Sequence, residues 1–158
     1  MTEEEKDRLR QAKEDVTDEL ARIDIDRYQL ALVDSRLDNY VREVAGNPDG
    51  HNLYEQLAVS LFFRKCDRYG INVTEVQQFY DFYESLYFPG KTGQQRYKLT
   101  PVQCFQFANI FAFWENGRRV VREAVLYVPR KFSKTTSTAS LAIYDVLYGD
   151  ANAECYTA

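Results

Sequence analysis

Apolar residues recur at helical spacing through most of the first ninety or so positions, and this period confines that stretch to packed helices. Leu9, Ala12, Val16, Leu20 and Ile23 form one narrow stripe within the highly charged residues 3–25. Such a stripe either packs on the domain or docks on a partner. A second helix is expected over residues 28–45, with Val33, Leu37, Tyr40, Val41 and Val44 on one face, ending at the turn sequence AGNPDG. A third is expected over Leu53–Tyr69 with Gly70 as its stop. A fourth is expected from an N-cap at Thr74, carrying Val76, Phe79, Tyr80, Tyr83 and Leu86. The segment FPGKTGQQRYK breaks the period and reads as a loop.

The chain has 158 residues, enough for one domain with a real core. Aromatic residues make up 15%, nearly all Tyr and Phe, which favours a packed protein because aromatics bury the most apolar area per residue. A net charge of −4 argues against a dedicated nucleic-acid module while leaving room for a local basic patch. Cys66, Cys104 and Cys155 are far apart and form no CxxC pair, so a structural zinc site is not expected and reduced thiols are. His51, the sole histidine, stands in the polar stretch NPDGHN and reads as a loop residue. No apolar run reaches the roughly 18 residues of a membrane span. MTEEEKDRLR is too charged for a signal peptide, so a soluble intracellular protein is expected.

The organisation changes near residue 100. Thr100-Pro101 is a helix start: a capping hydroxyl followed by a ring with no N–H to leave unpaired. That helix is expected to reach Glu115 and stop at Asn116-Gly117, followed by Arg118, Arg119 and Arg122. AVLYV, residues 124–128, reads as a short buried strand and PRKFSK as a polar loop. Residues 135–147 read as a helix with Ala139, Ala142, Ile143 and Val146 facing inward, and AECYTA as the opening of a second strand. The expected architecture is therefore a helical part, residues 1–98, leading into the beginning of a parallel sheet, residues 99–158. Its fold class would be α/β, a parallel sheet built by the right-handed βαβ rule.

Strand, basic loop, Lys-Thr and helix in that order are the parts of a phosphate-binding loop. Unpaired N–H groups at a helix start hold phosphate oxygens. Lys134 would reach the terminal phosphates and the Thr135 hydroxyl would ligate Mg²⁺. Val128 and Ser133 stand where the usual GxxxxGK[ST] pattern has glycines, and an unrelated strand followed by a basic loop has the same look. LTPVQ, residues 99–103, places Gln103 about thirty residues earlier. A Gln at a helix start can bond adenine in two places, or simply follow a helix cap at the surface.

These residues resemble the large terminases of tailed phages. The resemblance runs over residues 99–158: Gln103, the aromatic run from Phe111 to Trp114, Gly117-Arg118-Arg119, AVLYV, then PRKFSKTT and the small-residue helix after it. It is looser upstream. It implies that residues 99–158 are the beginning of a P-loop ATPase domain, part of an ATP-driven motor that packages double-stranded DNA into the procapsid and, in the full protein, cuts it. Gln103 would contact adenine, and Arg130, Lys131, Ser133, Lys134, Thr135 and Thr136 would surround the phosphates. Arg130 and Lys134 would act catalytically, and Thr135 would hold Mg²⁺. Implied partners are ATP, a portal protein and a small terminase subunit, in a homo-oligomeric ring on the portal in the host cytoplasm, with no membrane. Phe132-Ser133 departs from the family's Asn-Gly. The family's acidic Walker B strand, coupling motif and nuclease domain have no counterpart before Ala158, so the chain is expected to be a fragment or truncation that does not turn over ATP by itself. A helicase-like NTPase of other purpose, or a non-catalytic helical interaction protein with a relic loop, are the alternative readings.

Overall fold

The computed structural model describes residues 1–90, 93–125 and 134–149. Most of them are helical. α1 (Glu3–Ala21) starts at a capping box in which the Thr2 hydroxyl accepts from the Glu5 N–H and the Glu5 carboxylate accepts from the Thr2 N–H. This satisfies two of the helix's orphan donors at once. Val16 and Leu20 of the expected stripe are buried, whereas Leu9 is 40% exposed, so only the second half of the stripe packs. It lies along α4 (Leu53–Tyr69).

The single helix expected over residues 28–45 is instead three pieces: a 3-10 turn (Ile25–Tyr28), α2 (Leu30–Val33) and α3 (Ser35–Gly46). Two local conflicts divide it. Gln29 adopts a left-handed φ of 51°, and Asp34 is extended, its carboxylate accepting from the Arg36 N–H as the N-cap of α3. An Asp that caps the backbone competes with continuing the helix through it. α4 has the expected bounds, with Asn52 closing a capping box and Gly70 at φ 71° after its last turn. α5 (Val73–Ser85) begins one residue before Thr74, because Asn72 rather than Thr74 caps it, through the Glu75 N–H.

The expected loop after α5 is a hairpin, β1 (Tyr87–Gly90) paired antiparallel with β2 (Gly93–Arg96). α6 (Pro101–Phe111) starts at Thr100-Pro101 as expected but stops short of Glu115. Asn116-Gly117 is a hairpin turn joining β3 (Trp114–Glu115) to β4 (Arg118–Arg119), with φ of 52° and 73° at its two central residues. Positive φ at both positions is the type I′ geometry that matches strand twist, and Asn-Gly is its favoured sequence. α7 (Lys134–Tyr148) fits the expected last helix.

The parallel α/β sheet, and with it the P-loop NTPase architecture expected for residues 99–158, is overturned. Among the described residues the only sheets are the two antiparallel hairpins. Ala124 and Val125 have no strand pairing and Val125 is 83% exposed. The remainder of AVLYV and the expected strand in AECYTA lie outside the described residues. What α7 packs on explains the difference. Its buried residues are Ser137, Ser140 and Tyr144, and the Tyr144 ring meets Phe79, Phe82 and Phe111 at centroid distances of 5.1, 5.3 and 5.3 Å. The helix is thus turned toward aromatics of α5 and α6. The face expected to point inward is largely outside, with Ile143 46% and Val146 55% exposed.

One hydrophobic cluster runs from Val16 to Tyr144 and includes both sides of residue 98. Its centre is aromatic: Phe62, Phe63, Phe79, Tyr83, Phe107, Phe111 and Phe113 are almost fully buried. α3 packs against α6, and α6 against α5.

Candidate functional site

The segment that carries Gln103 is held by a polar cluster at the junction of α3, α5 and α6. Arg36 grips Asp34 with two hydrogen bonds, Nε to Oδ1 at 3.0 Å and Nη2 to Oδ2 at 2.8 Å. Its Nη1 also donates to Glu84 and, at 3.1 Å, to the Leu99 carbonyl. Glu84 in turn accepts from the Leu99 N–H at 2.9 Å. Both backbone groups of Leu99 are therefore fixed immediately before the helix start. Burial pushes the Asp34 carboxyl up, but the hydrogen bonds and charge of Arg36 outweigh it and leave the group below the ordinary carboxylate range. The same partners raise Arg36.

Gln103 is 7% exposed. Its Oε1 accepts from the Thr100 N–H at 3.0 Å and the Thr100 hydroxyl at 3.1 Å, while the Thr100 hydroxyl accepts from the Gln103 N–H. Thr100 and Gln103 thus form a capping box, with Gln at the position three residues after the cap. This local role was readable from the spacing. It also means that the side-chain oxygen is engaged by its own helix start in this conformation.

Lys134, Thr135 and Thr136 form the first turn of α7. Lys134 and Thr135 are exposed and Thr136 is partly buried. The first N–H groups of an α-helix have no partner within it, and they carry the positive end of the helix dipole. The Tyr97 hydroxyl donates to the Thr136 hydroxyl at 3.0 Å. Tyr97 packs on Tyr83 with centroids 5.4 Å apart, and burial raises the Tyr83 phenol against a smaller lowering by Ser137. The structure therefore brings the start of α7 against the strand-to-helix segment that leads into Gln103. Arg130, Lys131, Phe132 and Ser133 lie outside the described residues. Nothing in residue spacing announces the Tyr97–Thr136 bond, because its partners are 39 positions apart.

Mg²⁺ bound with a nucleotide commonly keeps several waters and takes few protein oxygens. Thr135 is exposed, and a hydroxyl is a hard oxygen donor of the kind Mg²⁺ takes. Among the described residues no group of three or more His, Cys, Asp or Glu side chains is arranged to hold a metal ion. Asp145, on the far part of α7, is tied to Arg119 at 2.8 Å. No protein-family model, curated protein or solved structure matches the chain.

Proposed function

We propose that this chain is the front portion of a tailed-phage large terminase, an ATP-driven motor for packaging double-stranded DNA, and that it holds nucleotide phosphate at the first turn of α7. The observation that carries the reading is the Tyr97–Thr136 hydrogen bond, which joins the start of α7 to the segment leading into Gln103. The first turn of α7 thus lies beside Tyr97, two residues before the Leu99–Gln103 segment that the resemblance assigns to the same ligand. An exposed lysine in the first turn of a 15-residue helix, at the positive end of its dipole, suits an anion chemically. The reading rests on these helix starts and on the order of motifs, and it requires no parallel sheet within the described residues.

In this reading Lys134 neutralises phosphate charge, Thr135 supplies one hydroxyl to the accompanying Mg²⁺, and Arg130 with Lys131, Ser133 and Thr136 completes the surroundings of the phosphates. Gln103 meets the base once its amide exchanges the Thr100 cap for the ligand. ATP titration by calorimetry, with and without Mg²⁺, tests the proposal. Saturable binding that Lys134→Ala weakens at least about ten-fold, the loss of one charged contact, supports it. Binding indifferent to Lys134 refutes it.

A second reading, a non-catalytic helical interaction protein, is favoured by one observation. Ile143, Val146 and Leu147 leave an apolar face of α7 in solvent. Absence of any nucleotide binding, together with a change of oligomeric state on Val146→Glu, selects it.

A further inference from the structure

A cleft lies at the far end of α7, where the β3–β4 hairpin meets its last turn. It has a volume of about 790 Å³ and is lined by Trp114, Arg118, Arg119, Arg122, Tyr144 and Tyr148, with Glu75 and Asp145 also on its walls. Three guanidiniums face two carboxylates, so the lining is net positive in a chain whose total charge is −4. The arginines differ in state. Arg119 is committed: it pairs with Asp145 at 2.8 Å and lies 4.8 Å over the Phe111 ring. Arg118 and Arg122 are exposed and have no ion pair among the described residues.

The aromatics are equally uneven. Tyr144 is buried in the core, but Tyr148 is 54% exposed and Trp114 is partly exposed at the cleft. The indole is fixed in place by its Nε1–H, which donates to the Phe111 carbonyl at 2.9 Å. Arg118 follows directly on the Asn116-Gly117 turn, in β4 paired with β3. Free guanidiniums beside fixed, accessible rings are the two elements that hold an unpaired strand of nucleic acid: charge follows the backbone and rings stack on bases. A duplex would leave the rings unused, because its bases are already stacked on one another.

We infer that this cleft binds single-stranded DNA or an unpaired DNA end, with phosphates on Arg118 and Arg122 and a base on Trp114. The site concerns the DNA side of the proposed function and does not depend on nucleotide at Lys134.

Trp114 is the sole tryptophan, so its fluorescence reports on the cleft directly. The whole chain is titrated with an oligothymidylate of about ten nucleotides, within the usual span of such sites. Saturable quenching is expected. Arg118→Ala/Arg122→Ala, both exposed positions, is expected to weaken binding by about ten-fold and to flatten the log–log salt dependence by about 1.4, two phosphates at ~0.7 each. Lys134→Ala is expected to leave the quench unchanged. Three results overturn the inference: no quench in the wild type, equal affinity in the double variant, or loss of the quench in Lys134→Ala, which assigns binding to the start of α7. Duplex DNA bound as tightly as the single strand, without quenching, also overturns it. Circular dichroism confirms that each variant keeps its helices.

Discussion

Removing the Arg36 side chain is expected to loosen the start of α6 more than its partly exposed position suggests. The guanidinium serves Asp34 twice, Glu84 once and the Leu99 carbonyl once. Arg36→Ala leaves Asp34 and Glu84 side by side without their cation, and one carbonyl without its donor. Hydrogen bonds to charged groups contribute about 1.5–3 kcal/mol, and breaking a fully buried pair costs about 3–5 kcal/mol. The side chains of Arg36, Asp34 and Glu84 are 29%, 17% and 31% exposed, so water recovers part of that loss. The expected cost is about 2–3 kcal/mol, or about 4–12 °C in Tm at 2–4 °C per kcal/mol for a chain of this size. Arg64→Ala is the control. It breaks a two-bonded pair with Glu19, but Arg64 is 66% exposed, and such surface pairs contribute at most about 1 kcal/mol. Thermal unfolding of both variants by circular dichroism makes the comparison, and hydrogen exchange at residues 99–104 locates the effect. Equal losses in the two variants, or unchanged exchange at the start of α6, refute the assignment of Arg36 as the group that fixes this segment.

Further expectations follow from the same interactions. Lys134→Ala should weaken ATP binding more than Arg130→Ala, since a lysine on the phosphates acts in the bound ground state while an arginine finger acts chiefly in the transition state; parallel titrations compare them. The Asp34 carboxyl is held below its ordinary range, so its contribution is present above the unfolded value and is lost as pH falls below about 4. Urea unfolding between about pH 5 and pH 3 should therefore show a steeper stability loss in the wild type than in Arg36→Ala. Burial pushes the Cys66 and Cys104 thiols up to about 12, so in a Cys155→Ala background neither should react with a thiol reagent at pH 8 until the chain unfolds. Gly117→Ala places a Cβ at φ 73° and should cost about 1 kcal/mol by thermal unfolding even though nothing lies within 4 Å of that Cβ, because the strain is in the backbone.

Helices with a clear cap were legible in the residues. Gly70 ends α4, Thr100-Pro101 opens α6, and in each case the local hydrogen bonds that decide the matter lie within four residues. The failures were of two kinds. Some local signals had two meanings. Asn116-Gly117 stops a helix or turns a hairpin, and the short pairing of Trp114 with Arg119 decides for the hairpin. Asp34 lies within an apolar helical period but caps a new helix instead. The other failures were distant. The period of α7 gives an apolar face, but which face is buried depends on Phe79, Phe82 and Phe111, and these favour the Tyr144 ring over Ile143 and Val146. A strand in AVLYV depends on a partner strand, and periodicity does not supply one. For the candidate site, the residue types at the start of α7 and the capping role of Thr100 were readable. The Tyr97–Thr136 bond and the Arg36 cluster were not, because they join residues 39 and 63 positions apart.

Photo-crosslinking with 8-azido-ATP tests the central claim most directly, because the label reports where the base lies without depending on affinity. With Mg²⁺ present, labelled peptides are expected to fall within residues 97–106, and labelling is expected to disappear with excess ATP and to drop sharply in Lys134→Ala. Labelling confined to α1 or to residues 114–122, unaffected by Lys134→Ala, contradicts the assignment of the phosphates to the start of α7 and of the base to the neighbourhood of Gln103.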